Sequence, residues 1–269
     1  MILPCRPSVR AYIRASSREP VEIRPASSQD REFVMSVCRA EYPDGDYVED
    51  VWDMWLAAGG TCIIWENGER AGLFNAVVEG AQGWVEGTRI HPDYRRRGLG
   101  TAVLKYAEQL TAGAGGSTVR SIISRENMPS LARSEKAGWK RGDLWGWYSL
   151  RPGDPVFVEP IDAGAPDAAQ YADSWRFYDM PPGFAGAKSL PGCTITIIPA
   201  RYYPDTALVT VLDGDDLSSL ASYLRSMGIG RRQMHGWGSG LHILSRLDPS
   251  LFKADFEPVE EYHLMSMDL

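Results

Sequence analysis

The chain has 269 residues, which is long enough for one large domain or two small ones. Hydrophobic residues make up 44% of it and charged residues 23%, as is typical of a soluble globular protein. The net charge of −7 argues against broad binding to nucleic acids or membrane surfaces. Because no apolar run reaches 18 residues, we expect no transmembrane helix.

The four cysteines lie far apart in the sequence. Cys5, Cys38, Cys62 and Cys193 form no C-x-x-C pair, a distribution that suits neither a zinc site nor a disulfide framework. It favours a reducing compartment, so we expect a cytoplasmic protein without a bound metal.

The first twenty residues are basic and poor in acids. Arg6, Arg10, Arg14 and Arg18 recur every four residues, and the first acidic residue is Glu19. We favour a loosely ordered N-terminal arm over residues 1–20. An organelle transit segment is the alternative, because such segments are rich in Arg and Ser.

From residue 21 the pattern predicts elements in the order β-α-α-β-β-β-α-β-α-β. The strands are expected at 21–24, 61–66, 69–79, 84–90, 118–124 and 145–150. Asn67-Gly68 between two apolar runs is a strong hairpin signal. The first three helices are marked by apolar residues at helical spacing: Phe33, Val34, Val37 and Cys38; Val48, Val51, Trp52, Trp55 and Leu56; and Leu99, Ala102, Val103, Tyr106, Ala107 and Leu110. The fourth helix begins at Asn127 and ends near Gly138.

A basic, glycine-bearing turn joins the strand that ends at Ile90 to the third helix. Gly98 and Gly100 allow a positive φ and let a ligand approach where a Cβ would block it. The free N–H groups of the first helical turn favour a phosphate, and Arg95 to Arg97 add three positive charges. The stretch therefore predicts a pyrophosphate site, the alternative being an Arg-rich surface turn before an ordinary helix.

Two motifs resemble those of a known family. The spacing Arg95-x-x-Gly98-x-Gly100 lacks the features of a P-loop or a dinucleotide fingerprint. It resembles the Q/R-x-x-G-x-G/A signature of the GNAT superfamily of N-acetyltransferases, with the same His-Pro-x-Tyr-Arg lead-in. The segment from Asn127 to Trp139 resembles the family's second motif, N-x-x-A…E-K-x-G-F. Over residues 21–150 this implies an α+β GNAT fold, with a mixed, mostly antiparallel central sheet flanked by helices.

The resemblance implies acetyl-CoA as co-substrate. The positions that match the family's binding loop are Ile90, Arg95, Arg96, Arg97, Gly98, Leu99, Gly100 and Thr101. An amide near Ile90 is expected to stabilise the thioester oxygen. Asn127 matches the asparagine that contacts the pantetheine arm in the family, although it also suits a helix cap.

Glu86 is our first choice for the general base that removes the proton of an acceptor amine. By strand alternation Trp84, Glu86, Thr88 and Ile90 should share one face, and the family's usual glutamate stands at the position of Trp84. A carboxylate satisfied by a neighbouring Arg or by solvent is the alternative.

The sequence offers no clear general acid to protonate the leaving thiolate. Many family members carry a tyrosine where this chain has Ser134, and a serine hydroxyl is a poor proton donor to a thiolate. Tyr148 or water could substitute, or no acid is used.

The resemblance implies that the acceptor side lies in the segment between the first two helices. Acidic residues crowd there around Tyr47, Trp52 and Trp55, and acids beside aromatic rings suit a cationic amine. A solvated helix start with its tryptophans in the core is the alternative interpretation.

The second half of the chain follows a proline-rich linker at 151–170. Strands are expected at 193–200, 206–212, near 232–237 and at 262–267, with helices at 217–224 and near 241–246. We interpret residues 171–269 as a smaller, degenerate GNAT-like domain, or else as an unrelated α+β accessory domain. Acidic residues at 213–216 replace the basic turn and would repel a pyrophosphate.

The leading hypothesis is an acetyl-CoA-dependent N-acetyltransferase that acts on a primary amine of a small molecule or peptide. The alternative is a non-catalytic acyl-CoA-binding or regulatory module. The acidic composition disfavours nucleic acid as a partner. Two such domains in one chain would allow a monomer or a homodimer.

Overall fold

The computed structural model describes residues 2–3, 11–13, 21–164, 170–173, 175–181, 184–200, 206–227 and 240–269. The chain divides into two compact units: residues 1–142 with 265–269, and residues 143–264. The sequence predicts a first domain that ends at residue 150 and a second that spans residues 171–269. In the structure the last five residues belong to the first unit instead.

The first unit is built on a mixed sheet with four helices. Its strands are β1 (Ile2–Leu3), β2 (Ala11–Ile13), β3 (Val21–Pro25), β4 (Thr61–Glu66), β5 (Glu69–Glu79), β6 (Gln82–Ile90) and β7 (Thr118–Ser124). Its helices are α1 (Arg31–Glu41), α2 (Tyr47–Ala58), α3 (Leu99–Gly113) and α4 (Met128–Lys136). The strands run in the order β2-β3-β4-β5-β6-β7, and β1 pairs with β5. The β6–β7 pair is parallel, whereas the pairs from β2 to β6 are antiparallel.

Part of the predicted N-terminal arm belongs to this sheet. Ala11 pairs with Ile23 on β3, and Ile13 is buried in the core. Thus this stretch of the arm is not loosely ordered, although most of residues 1–20 lie outside the described ranges.

Local signals explain where these elements begin and end. Asn67 and Gly68 have φ of 53° and 81°, the positive values that a type I′ hairpin turn requires. Gly59 ends α2 in the left-handed region with φ of 74°. The predicted apolar stripe of α3 packs on the sheet, with Ala102, Val103 and Tyr106 buried.

A buried ion pair ties the segment before α2 to β6. Arg89 donates to both carboxylate oxygens of Asp46, at 2.7 and 2.9 Å, and Asp46 also caps α2 by accepting from the Val48 amide. The two side chains are 11% and 0% exposed. The Arg89 guanidinium also lies over the rings of Tyr42 and Tyr47. Burial alone would lower the pKa of Arg89, but the hydrogen bonds and charge of Asp46 raise it above its ordinary value.

The second unit also contains a mixed sheet. The remaining elements are β8 (Lys140–Leu150), β9 (Ile161–Ala163), β10 (Gln170–Asp173), β11 (Arg176–Asp179), β12 (Ala187–Leu190), β13 (Cys193–Pro199), β14 (Thr206–Gly214), α5 (Ser218–Ser226), β15 (Gly240–Ser245) and β16 (Phe256–Asp268). Antiparallel β12, β13 and β14 are followed by α5 and by β15, which is parallel to β14. The first unit has the same arrangement in β4, β5, β6, α3 and β7.

Several predictions for the second half need correction. The helix near 241–246 is wrong: this segment forms β15, whose Ile243 pairs with Val209 of β14. A short apolar run fits a buried strand as well as a helix, and only the partner strand decides between them. The linker contains β9, while the predicted strand near 232–237 lies outside the described residues.

Among the described residues, no helix combines the length and the hydropathy needed to cross a bilayer.

We predict that Asp46→Ala lowers the free energy of unfolding by about 3–5 kcal/mol, because Arg89 would be left buried without its counter-charge. The control is Asp53→Ala, which breaks the exposed pair with Arg31 and should cost less than about 1 kcal/mol. Urea unfolding at neutral pH measures both variants. Equal losses would contradict the importance of this ion pair.

Candidate coenzyme and acceptor site

The predicted basic turn begins α3 in the expected way. A short 3₁₀ turn covers Pro92–Tyr94, and Arg96 and Gly98 then have φ of 60° and 84°. Left-handed backbone at Gly98 costs little because glycine has no Cβ. The helix begins at the next residue, Leu99.

This geometry leaves consecutive backbone donors unused. The Gly98 carbonyl accepts from the amides of Thr101 and Ala102, at 3.0 and 3.1 Å. Within the described part of the chain, the N–H groups of residues 96–100 donate to no protein acceptor. The predicted loop therefore offers free donors up to Gly100, whereas the Thr101 amide is already engaged.

Two of the three arginines in the turn are paired within the protein. Arg95 binds Glu41 and donates to the Ile90 carbonyl. Arg97 donates to Glu66 at 2.9 Å and to the Asp93 carbonyl at 2.6 Å. These contacts hold the turn in shape.

Arg96 is exposed and, unlike Arg95 and Arg97, it forms no ion pair with any described residue. The expectation of three positive charges available to a ligand is therefore reduced to one within the turn itself.

A further cation, Arg133, reaches the start of α3 from α4. A Cβ built on Gly100 would lie 2.4 Å from Arg133 Nη1 and 3.0 Å from Cζ. Its side chain is half-buried, and Nε is buried without a hydrogen-bond partner among the described residues. Burial lowers the pKa of this guanidinium below its ordinary value. Sequence reasoning missed Arg133, because a single arginine in an amphipathic helix carries no signal of its orientation.

The second motif places its polar residues differently from the expectation. Asn127 is exposed and caps α4, with Oδ1 accepting from the Ser130 amide at 3.2 Å, which is the alternative role named for it. Ser134 is 0% exposed, and its hydroxyl has no hydrogen-bond partner among the described residues. A fully buried hydroxyl is poorly placed to act as a general acid.

Tyr148 lies in the core of the second unit. Its ring stacks on Phe252 with centroids 3.9 Å apart, and only 3% of the residue is exposed. Burial raises the pKa of its phenol to about 12. These facts argue against Tyr148 as the general acid, since a proton donor must reach the reacting group.

Glu86 is held by two neighbours on the sheet. Asn75 Nδ2 donates to Oε1 at 2.8 Å, and Trp84 Nε1 donates to Oε2 at 3.1 Å. Asn75 is itself buried and accepts from the Thr61 hydroxyl at 3.4 Å. Asn75 and Trp84 therefore fix the orientation of the half-buried carboxylate.

A β-bulge interrupts β6 directly after Glu86. The register pairs Glu86 with Asn75 but Ile90 with Gly72, so four steps on β6 match three on β5. Gly87 accommodates the extra residue with φ of 62°. The prediction that Glu86 and Ile90 share a face is therefore wrong: Glu86 lies on one face, and Ile90 packs on the opposite face with the core beneath α3.

Two of the predicted acceptor-side aromatics, Tyr47 and Trp55, lie at this bulge. Trp55 packs against Gly87, where a Cβ would lie 2.5 Å from Trp55 Cη2, and Tyr47 meets Trp55 edge to face. Trp52 and Trp55 are buried in the core, as the alternative interpretation stated. Burial raises the pKa of the Tyr47 phenol above its ordinary value, so the phenol stays neutral.

The acids of this segment are largely paired inside the protein. Asp46 binds Arg89, Glu41 binds Arg95 and Asp53 binds Arg31. The cation–π contacts of Tyr42 and Tyr47 are likewise made by Arg89. The expectation that these acids attract a cationic amine thus loses much of its support, although exposed Asp44 and Asp50 remain.

Comparisons with known proteins address the fold of the chain. Residues 28–139 match the model of the acetyltransferase (GNAT) family. A search of curated proteins finds no match.

Three solved structures share the fold. A GCN5-related N-acetyltransferase from Sphaerobacter thermophilus has a TM-score of 0.59 at 14% identity, over 92% of this chain and 95% of its own. A proposed acetyltransferase from Pyrococcus horikoshii has a TM-score of 0.58 at 16% identity, and the match covers 96% of this chain and 91% of its own. Another proposed acetyltransferase, from Thermoplasma acidophilum, has a TM-score of 0.57 at 17% identity, and the match covers 91% of each chain. The predicted α+β fold class, with a GNAT fold in the first unit, is therefore confirmed.

We predict that Gly87→Ala destabilises the protein by about 1–3 kcal/mol more than Gly68→Ala does. Both glycines have positive φ, so both variants carry backbone strain of about 1–2 kcal/mol. Only at residue 87 must the new methyl group also displace Trp55, since nothing lies within 4 Å of a Cβ at residue 68. Chemical denaturation measures the free energy of unfolding of both variants. Similar losses would show that Trp55 moves aside at little cost, which would contradict the prediction.

Proposed function

We propose that this protein, whose residues 28–139 match the GNAT family model, is an acetyl-CoA-dependent N-acetyltransferase that acts on a primary amine of a small molecule or peptide. The observation that carries the proposal is the run of unused backbone N–H groups at residues 96–100, at the start of a helix. Such donors, together with the helix dipole, form a binding site for a phosphate.

The residues of the turn fit a coenzyme with a diphosphate group. The amides of Gly98, Leu99 and Gly100 would hold phosphate oxygens, and Arg96 would add charge from the exposed side. Arg95 and Arg97 act through their internal contacts, which fix the turn. When bound, acetyl-CoA supplies the activated acetyl group.

Glu86 is the proposed general base. A free primary amine has a pKa of about 10.4, so it is protonated at neutral pH and must lose its proton before it can attack. The Glu86 carboxylate, fixed by Asn75 and Trp84, would accept that proton directly or through a water. The backbone near Ile90, where β6 meets the turn, is the proposed donor to the thioester oxygen.

A non-catalytic acyl-CoA-binding module is the second candidate, and one observation favours it. Neither residue named for the general acid is available, because Ser134 is fully buried and Tyr148 lies in the core of the second unit. An acetyltransferase with this site would release the thiolate with a proton from water, or without a proton.

We propose that the second unit is a degenerate GNAT-like domain. The shared order of antiparallel strands, helix and parallel strand supports this. Where the first unit has the basic turn, Asp213, Asp215 and Asp216 precede α5. Carboxylates at that position would repel a diphosphate, so we propose that only the first unit binds the coenzyme. A cytoplasmic monomer or homodimer, with no nucleic acid partner, remains our proposal for the whole protein.

The test is a screen of amines, amino acids and peptides with acetyl-CoA, in which release of coenzyme A is followed. With an accepted amine, we predict that Glu86→Gln lowers kcat/KM by about 10²–10⁴-fold while binding of acetyl-CoA measured by calorimetry is unchanged. The loss should be greatest below the pKa of the amine, where its proton must be removed.

The control is Glu69→Gln, which neutralises an exposed carboxylate on β5 and should retain full activity. Binding of acetyl-CoA without turnover of any amine would favour the non-catalytic candidate. An unchanged rate in Glu86→Gln would eliminate this residue as the base.

A further inference from the structure

We propose that Arg133, on α4, is a diphosphate-binding side chain of the coenzyme site, and that Gly100 is small in order to leave room for its guanidinium. This inference rests on the proposed function. It adds a residue that lies outside the basic turn.

Arg133 has no counter-charge among the described residues. Its guanidinium is half-buried, its Nε is inaccessible to solvent, and no described residue accepts a hydrogen bond from it. Arginine remains charged in proteins, and a buried charge without a partner is unfavourable. An anionic ligand that binds beside Arg133 would supply the missing counter-charge.

The position of Arg133 at the start of α3 also fits this role. The guanidinium lies against Gly100, within the run of residues whose amides are unused. Any larger residue at position 100 would contact Arg133 Nη1 at 2.4 Å. An anion held by these amides would therefore lie beside a planar guanidinium, which can donate two parallel hydrogen bonds to phosphate oxygens.

Two of the three arginines in the basic turn already form ion pairs within the protein. Arg95 is paired with Glu41, and Arg97 is paired with Glu66. Of these four arginines, exposed Arg96 and half-buried Arg133 form no ion pair with a described residue and are therefore available to neutralise a diphosphate. A partly desolvated cation interacts more strongly with an anion than an exposed one does, so we expect Arg133 to contribute more to affinity.

The experiment measures binding of two probes, acetyl-CoA and S-acetylpantetheine, which lacks the diphosphate, to the full-length protein by calorimetry. Arg133→Met should weaken acetyl-CoA binding by about tenfold to a hundredfold and leave S-acetylpantetheine binding unchanged. Arg133→Lys, which retains the charge without the planar fork, should bind acetyl-CoA with intermediate affinity.

The matched control is Lys136→Met, which removes one exposed positive charge from the same helix and should leave the affinities of both probes unchanged. Thermal melting without ligand separates binding from folding. We expect Arg133→Met to melt at or above the wild-type temperature, because an unpaired, partly buried cation has been removed. A lower melting temperature with undiminished acetyl-CoA affinity would overturn the proposal in favour of a structural role.

A double-mutant cycle tests the role of Gly100. Gly100→Ala should displace the guanidinium and weaken acetyl-CoA binding in the wild-type background, but by a smaller factor in the Arg133→Met background. Equal factors in both backgrounds would show that the two residues act independently, which would contradict the proposal.

The outcomes separate this inference from the proposed function. If the wild-type protein does not bind acetyl-CoA, the proposed function fails. If the wild-type protein binds it and Arg133→Met binds it equally well, only the role of Arg133 is overturned.

Discussion

The candidate site depends on one constraint, namely that the first N–H groups of a helix have no acceptors within that helix. In this protein the left-handed turn at Gly98 lets a single carbonyl satisfy the amides of Thr101 and Ala102, while the preceding amides have no protein acceptor among the described residues. Internal ion pairs of Arg95 and Arg97 hold the turn open. The structure thus keeps a row of donors ready for an anion.

Strand β6 connects this row of donors to the proposed base. Because of the bulge at Gly87, the strand presents Glu86 on one face and Ile90 on the other. The face of Glu86 is packed by Trp55 and is tied to the start of α2 through Arg89 and Asp46. The opposite face packs beneath α3. Strand β6 therefore links the proposed general base, Glu86, to the proposed coenzyme-binding turn.

The sequence predicted the features whose causes are local. Asn67-Gly68 specifies a hairpin because both residues tolerate positive φ, and Gly98 marks the start of α3 for the same reason. The bulge was missed because one inserted residue leaves an alternating pattern nearly unchanged. A glycine inside a strand, here Gly87, was the available signal.

Features that depend on distant contacts could not be predicted. Arg133 resembles any charged residue of a surface helix until α4 is packed against the start of α3. Tyr148 is a possible general acid by sequence alone, whereas its ring stacks on Phe252 in the second unit. The run that forms β15 reads equally well as a helix until its pairing with β14 is known.

The most direct test of this account is an NMR titration of the backbone amides of residues 96–100 with acetyl-CoA. The account predicts large chemical-shift changes and slower hydrogen exchange at Gly98, Leu99 and Gly100, with a much smaller change at Thr101, whose amide is already bonded. Unchanged resonances at these amides in a protein that binds the coenzyme would contradict it.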